Sequence, residues 1–201
     1  MKLVLASRNK KKIRELETFL KEISSDITVL SLDDIGFHDE IVEDGDSFAA
    51  NSKIKALVPA GFGFIGVADE SGLEVDALGG APGVYSARYS GEGATDGKNN
   101  AKLLKALENV PDDKRTARFR TVITCEFPDG REIVVDGVCE GRILREPRGA
   151  DGFGYDPLFY YEPFGKTFAE LSPEEKNQVS HRGRAMKKFA EEIGKYIHLT
   201  K

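Results

Sequence analysis

The chain is poor in cysteine and histidine, has no long apolar run, and carries no excess of positive charge. Cys125 and Cys139 are its only cysteines among 201 residues, with no C-x-x-C pair. That argues against a disulfide framework or a structural zinc site. Both fall in strand-like segments and read as small core residues. No apolar stretch approaches the ~20 residues that a membrane-spanning helix needs. Met1-Lys2-Leu3-Val4 leads directly into a strand, without the pattern of a signal or transit peptide. The expected setting is the cytoplasm, with no membrane partner. A net charge of -5 speaks against a general nucleic-acid binder, which shows a basic balance. Of the three histidines, His38 and His198 stand in no constellation, and no Ser-His-Asp spacing is readable.

What is present is an ordinary globular composition, 31% charged and 40% hydrophobic, long enough to bury a substantial core. Residues 1–201 could form one domain or two closely joined lobes. Positive charge clusters at 10–14, 114–120 and 181–188. A pocket for one anionic small molecule fits such clustering, and so do solvated helix faces.

Short apolar runs predict strands over 2–6, 27–30 and 64–68. Apolar residues at helical spacing predict helices over 9–21, 47–60, 98–107 and 180–196, with a shorter one over 173–178. Asp129-Gly130 between the β-rich runs 116–126 and 131–138 predicts a hairpin, and 140–144 can extend the sheet. The acidic segment 33–46 reads as irregular, and the glycine-rich segments 72–93 and 148–157 read as loops, the first with a short strand at 73–75. There is no internal repeat. Strands and helices mix without strict alternation, so the predicted fold is α/β with a mixed central sheet and flanking helices.

The segment carrying most chemistry is Ser7-Arg8-Asn9-Lys10-Lys11-Lys12, at a strand-to-helix junction. Free N–H groups at a helix start, the helix dipole and added ammonium groups suit a polyphosphate. Asp69-Glu70-Ser71-Gly72 places two carboxylates at the predicted end of a strand, where a turn would let both converge on one site. Hard oxygen ligands are what magnesium needs, with nucleotide phosphates completing its shell, and one carboxylate could instead take a proton from water. Glu40, Glu43 and Asp44 form a second acidic group. Asn51 and Lys55 lie one helical turn apart and share a face. Lys55 reads either as a snorkelling side chain or as a phosphate contact. Phe153-Gly154-Tyr155-Asp156 combines rings that can stack on a base with an acid that can equally hold backbone N–H groups. Ser180-His181-Arg182 opens a helix. His181 is readable as a general base or, with Arg182, as a ligand-recognition element.

Taken in order along the chain, these motifs resemble the inosine/xanthosine triphosphate pyrophosphatase family. The resemblance also runs through Glu43-Asp44-Gly45 with Phe48 and Asn51, Leu78-Gly79-Gly80-Ala81-Pro82-Gly83, Ser86-Ala87-Arg88 and Glu175-Lys176. It implies two lobes around a nucleotide-binding cleft, a homodimer, and magnesium-assisted hydrolysis of a nucleoside triphosphate to the monophosphate and pyrophosphate. Ser7, Asn9 and Lys12, within the stretch 7–12 that also holds Arg8, Lys10 and Lys11, match its phosphate-binding positions, as does Lys55. Glu40 or Glu43, with Glu70, match its metal carboxylates. Glu70 falls where the family places its proton acceptor, and Asp69 sits beside it. Ser71, Phe153, Gly154, Tyr155, Asp156, Lys176, His181 and Arg182 match nucleotide-contact positions.

The chain departs from the family pattern at two places: Arg8 stands where glycine is common, and Glu70 where the acid is usually Asp. Two other readings accompany this one. A nucleotide-binding protein with little catalysis is suggested by Glu70. A septum-inhibition-type pyrophosphatase of related fold is disfavoured, because its loop typically reads Ser-Pro-Arg-Arg.

Overall fold

The structure, a computed structural model, describes residues 1–197, so His198 lies outside the described residues. In chain order its elements are β1 (Lys2–Leu5), α1 (Lys10–Lys21), β2 (Thr28–Leu30), α2 (Phe48–Gly61), β3 (Ile65–Val75), α3 (Asp96–Ala106), β4 (Thr116–Glu126), β5 (Glu132–Ile143), β6 (Phe159–Tyr161), β7 (Lys166–Thr167), α4 (Pro173–Val179) and α5 (His181–Ile197). Seven strands form one sheet in the order β2-β1-β3-β4-β5-β6-β7. β1 pairs parallel with β2 and β3, whereas β6 pairs antiparallel with β5 and β7. The sheet is therefore mixed, as expected. Among the described residues no helix is long and apolar enough to cross a membrane.

Two expectations need correction. β3 does not stop at residue 68; it runs to Val75, so Asp69 and Glu70 sit within a strand and not at a turn. Gly72 is accommodated there because apolar Leu73 and Val75 resume the buried pattern beyond it. β6 and β7 lie in a stretch with no predicted element; at three and two residues they are too short to show a period.

The chain divides into two compact units, the first built from 1–70, 121–137 and the described part of 184–201, the second from 71–120 and 138–183. In the first unit, side-chain alternation along β1 and β3 sorts residues onto two faces. Leu3, Leu5 and Val67 join Leu16 and Leu20 of α1 and Phe189 and Ile193 of α5. Val4 and Ala68 join Leu32 and Ala56 of α2. Cys125 is buried in the first of these clusters, and burial pushes its thiol pKa up, so it is packing rather than chemistry. The turn between β4 and β5 closes on Phe127, whose N–H donates to the Arg131 carbonyl at 2.9 Å, with Gly130 at φ 83°.

The second unit packs Leu73, Val75, Leu103, Leu107, Phe119, Phe159 and Phe168, with Cys139 among them. Phe119 and Phe159 lie 4.5 Å apart, centroid to centroid, and Phe159 and Phe168 meet edge to face at 4.8 Å. Within this unit Arg115 is only 2% exposed. Its guanidinium donates to the carbonyls of Leu107, Ile143 and Leu144 at 2.6, 2.8 and 2.9 Å. It thus closes the end of α3, where the helix dipole favours a cation.

Gly66 pairs with Val4 in the β1–β3 ladder. A Cβ there would collide with the Ala56 backbone carbonyl, so β3 and α2 approach backbone to backbone. Gly66→Ala is expected to destabilise the fold by at least ~2 kcal/mol through overpacking. Urea unfolding checks this; an unchanged midpoint would show that the helix yields freely.

Candidate active site

The first unit assembles the phosphate-type and acidic residues. Asn9 caps α1: its side-chain oxygen accepts from the Lys11 and Lys12 backbone N–H groups at 3.0 and 3.3 Å, and its own N–H donates to Ser7 Oγ at 3.1 Å. Two of the N–H groups expected to be open to an anion are therefore already engaged. Lys10 and Lys11 are exposed. Arg8 reaches away from the helix start, to Asp33 Oδ1 at 3.0 Å and to the carbonyls of Phe37 and Asp39 at 3.1 and 2.9 Å. It fastens the acidic segment in place. His38 joins the same carboxylate of Asp33 at 3.4 Å, a contact its sequence context does not suggest.

The strand geometry decides the pairing of the two central acids. Asp69 shares a face with Val67, toward α1; Glu70 shares a face with Ala68, toward α2. Accordingly Lys12 Nζ donates to Asp69 Oδ2 at 2.9 Å, and Asp69 is 6% exposed. Lys55, from α2, forms an ion pair with Glu70 Oε1, lies 3.6 Å from Glu43 Oε1, and donates to the Asp69 carbonyl at 3.4 Å. Of the two outer acids, Glu43 is drawn to Lys55, while Glu40 is exposed.

Burial raises the Glu70 carboxyl pKa, the Lys55 charge lowers it, and Glu43 and Asp69 raise it further; the net direction is up. For Lys55, burial works against the charged form, but Glu70 and Glu43 prevail and raise its pKa. The ion pair thus joins two partly desolvated groups.

Sequence reading left Asn51 without an assigned role. It is 1% exposed, and its side-chain oxygen accepts the Gly45 N–H at 2.8 Å. A Cβ on Gly45 would meet that oxygen at 2.6 Å. This contact ties the acidic loop carrying Glu43 to the helix carrying Lys55, one turn further along α2. The shared helix face of Asn51 and Lys55 was the signal.

The second unit gathers the predicted nucleotide-contact residues other than those above. Ser71, next after Glu70 in β3, is exposed. In the 153–156 loop Asp156 is 3% exposed; its Oδ2 accepts the Phe153 N–H at 3.0 Å and Lys176 Nζ at 2.5 Å. The acid thus holds backbone and lysine, the structural alternative of its sequence reading. Gly154 donates to Asp96 Oδ2 at 2.8 Å and accepts from Asn100 Nδ2 at 2.9 Å; the Tyr155 hydroxyl donates to the Ser86 carbonyl at 2.7 Å. Burial pushes the Tyr155 pKa up, keeping the phenol neutral. On this fixed loop the Phe153 ring is 73% exposed, with Lys176 Nζ 4.7 Å from its centroid.

His181 stacks on Phe119 at 4.9 Å, with an interplanar angle of 17°. Burial, with Lys176 and Arg182 nearby, pushes its pKa down to about 3. That suits a neutral hydrogen-bonding ring rather than a base working near neutrality. Arg182 follows it in the first turn of α5, and the Gly183 N–H donates to Ser180 Oγ at 3.1 Å, making Ser180 the helix cap. Asp96, Asn100, Ser86 and Phe119, which set this geometry, were not assigned roles from sequence; Ser86 lies in the Ser86-Ala87-Arg88 motif, and the others act on backbone groups or by ring packing with no motif to mark them.

The chain belongs to the Ham1 family, whose model matches residues 3–192. It is 54% identical over 200 residues to a curated relative from Desulforamulus reducens named dITP/XTP pyrophosphatase, covering 98% of each chain. A relative of the same name from Geobacter sulfurreducens is 50% identical, covering 96% of each. Among solved structures, a HAM1 protein from Coxiella burnetii superposes with a TM-score of 0.90 at 41% identity, covering 97% of this chain and 99% of that one.

The depressed His181 pKa makes a direct prediction. Its imidazole Cε1–H resonance should stay flat between about pH 5 and 8, where an ordinary histidine titrates. A step near 6.5 in that NMR titration would show an exposed, basic ring. The unfolded chain takes up a proton that folded His181 refuses, so its contribution to stability falls as pH drops from 6.5 toward about 3.

Proposed function

We propose that this chain hydrolyses the non-canonical purine triphosphates ITP, dITP, XTP and dXTP to the monophosphate and pyrophosphate, removing them from the nucleotide pool. The observation that carries this reading is the Asp69-Glu70 step: adjacent carboxylates in one strand, each paired with a lysine from a different helix. It stands in a Ham1-family chain about half identical to relatives named dITP/XTP pyrophosphatase.

In this reading Lys12 and Lys55 neutralise the phosphate chain, with Ser7 and Asn9 beside them and Lys10 and Lys11 adding positive field. Glu70 accepts a proton from water. The water oxygen bonds to the α-phosphorus, the bond to the bridging oxygen breaks, and pyrophosphate leaves with its electron pair. A carboxylate whose pKa is raised is a better acceptor for that proton.

Magnesium is the cofactor we assign. Glu43 and Glu70 offer hard oxygen donors that already approach one common cation, Lys55. Among the described residues no group of three or more His, Cys, Asp or Glu forms a cage, which fits an ion that takes one or two carboxylates and completes its shell with water and substrate phosphates. When bound, it supplies charge neutralisation at phosphate and acidifies water.

For the base, Phe153 provides an exposed face for stacking. Arg182 and N–H groups beside His181 are donors for a 6-oxo group. Adenine presents an amino group there and would leave those donors unpaired. A cytoplasmic homodimer completes the reading, checked by light scattering at twice the 22.1 kDa chain mass.

Steady-state pyrophosphate release with magnesium should show kcat/KM for ITP and XTP far above that for ATP or GTP. Comparable constants for all four would sink the base assignment. Glu70→Gln should lower kcat about 10²–10⁴-fold while nucleotide affinity changes much less. Undiminished turnover would remove Glu70 from the chemistry. Because Glu70 replaces the family's usual Asp, a nucleotide binder with weak catalysis is the second reading; it predicts tight ITP binding with negligible pyrophosphate release.

A further inference from the structure

The lysine offered to phosphate is already engaged. Lys55 and Glu70 are only 15% and 14% exposed, and the ammonium sits among Glu70, Glu43 at 3.6 Å and the Asp69 carbonyl at 3.4 Å. The Glu43 and Glu70 carboxylates are the ones assigned to a divalent cation. An ammonium and a divalent cation brought to the same two carboxylates repel each other, so the pair does not hold both without cost. Nor can a polyphosphate draw the ammonium away by itself, because that would leave two like-charged, partly desolvated carboxylates uncompensated beside more negative charge.

Resting on the metal and phosphate roles proposed above, we infer that Lys55 is an exchangeable internal cation. It holds Glu43 and Glu70 in the nucleotide-free protein, leaves them when a divalent metal takes those carboxylates, and only then meets the phosphate chain. The charge balance favours this: the carboxylate pair carries two negative charges and Lys55 supplies one positive. Metal and polyphosphate then bind with positive coupling, each raising the affinity of the other by the same factor. Lys12 differs. It pairs with Asp69 alone, on the opposite face of β3, and serves as an internal reference.

Competitive acetylation of the full chain, read by mass spectrometry, follows the exchange directly. Lys55 labelling should rise severalfold on adding Mg²⁺ alone and fall again when inorganic tripolyphosphate is added with Mg²⁺, while Lys12 responds less to the metal. Lys55 labelling that stays level or falls at a Mg²⁺ concentration where calorimetry shows binding would overturn the exchange. Calorimetry with Mn²⁺ and no nucleotide supplies the second arm: Lys55→Met should bind about tenfold more tightly than the starting protein, within the usual range of coupling between sites. If Lys55→Met binds no more tightly while Glu70→Gln loses affinity, the exchange fails and the metal site stands. If Glu70→Gln binds Mn²⁺ as well as the starting protein does, the metal site fails and the exchange with it.

Discussion

Two neighbouring carboxylates in a β-strand cannot share one counter-ion from the same side. The strand sends Asp69 toward α1 and Glu70 toward α2, and both are substantially buried. Each therefore requires its own cation, and the fold supplies one from each flanking helix: Lys12 near the start of α1, Lys55 two turns into α2. Much of the first unit follows from that constraint. The helices must cover opposite faces of the sheet, β1 and β3 must lie parallel beside each other, and α2 must come close enough that Gly66 has no room for a side chain.

The second unit solves a different problem, that of keeping an apolar ring in water. Phe153 gains nothing from burial, so its loop is fixed by polar contacts instead: Asp156 to the Phe153 N–H, Gly154 to Asp96 and Asn100, Tyr155 to Ser86. The cost of ordering the loop is met during folding, which leaves less to be lost when a flat ligand stacks. The same economy explains His181, whose ring is immobilised against Phe119 and kept neutral by its surroundings.

The parts that sequence pattern reveals are those with a period or a cap. The amphipathic spacing of Leu16 and Leu20, the helix starts at Asn9, Ser47 and Ser180, and Asp129-Gly130 at the hairpin turn all appear where local chemistry places them. What was hidden depended on tertiary contact. β3 continues through Glu70-Ser71-Gly72, beyond the Leu5–Val67 end of its pairing with β1, against the turn-like composition of those residues. Arg8 looks like part of a phosphate loop but is spent on the 33–39 segment. Asn51 shares a family motif with Gly45, but its hold on the Gly45 N–H is a tertiary contact that the motif does not spell out.

The two ion pairs also differ in how far apart their members lie along the chain. Lys55 and Glu70 are separated by 15 residues, within a single helix–turn–strand segment, whereas Lys12 and Asp69 are separated by 57. Loop closure for the first is cheap and for the second costlier. The Lys55–Glu70 contact belongs to a unit able to form early, before α1 docks. On closure cost alone, the Lys55–Glu70 contact is favoured to form ahead of the Lys12–Asp69 contact, so the two carboxylates of one strand differ in how much chain must be ordered to neutralise them.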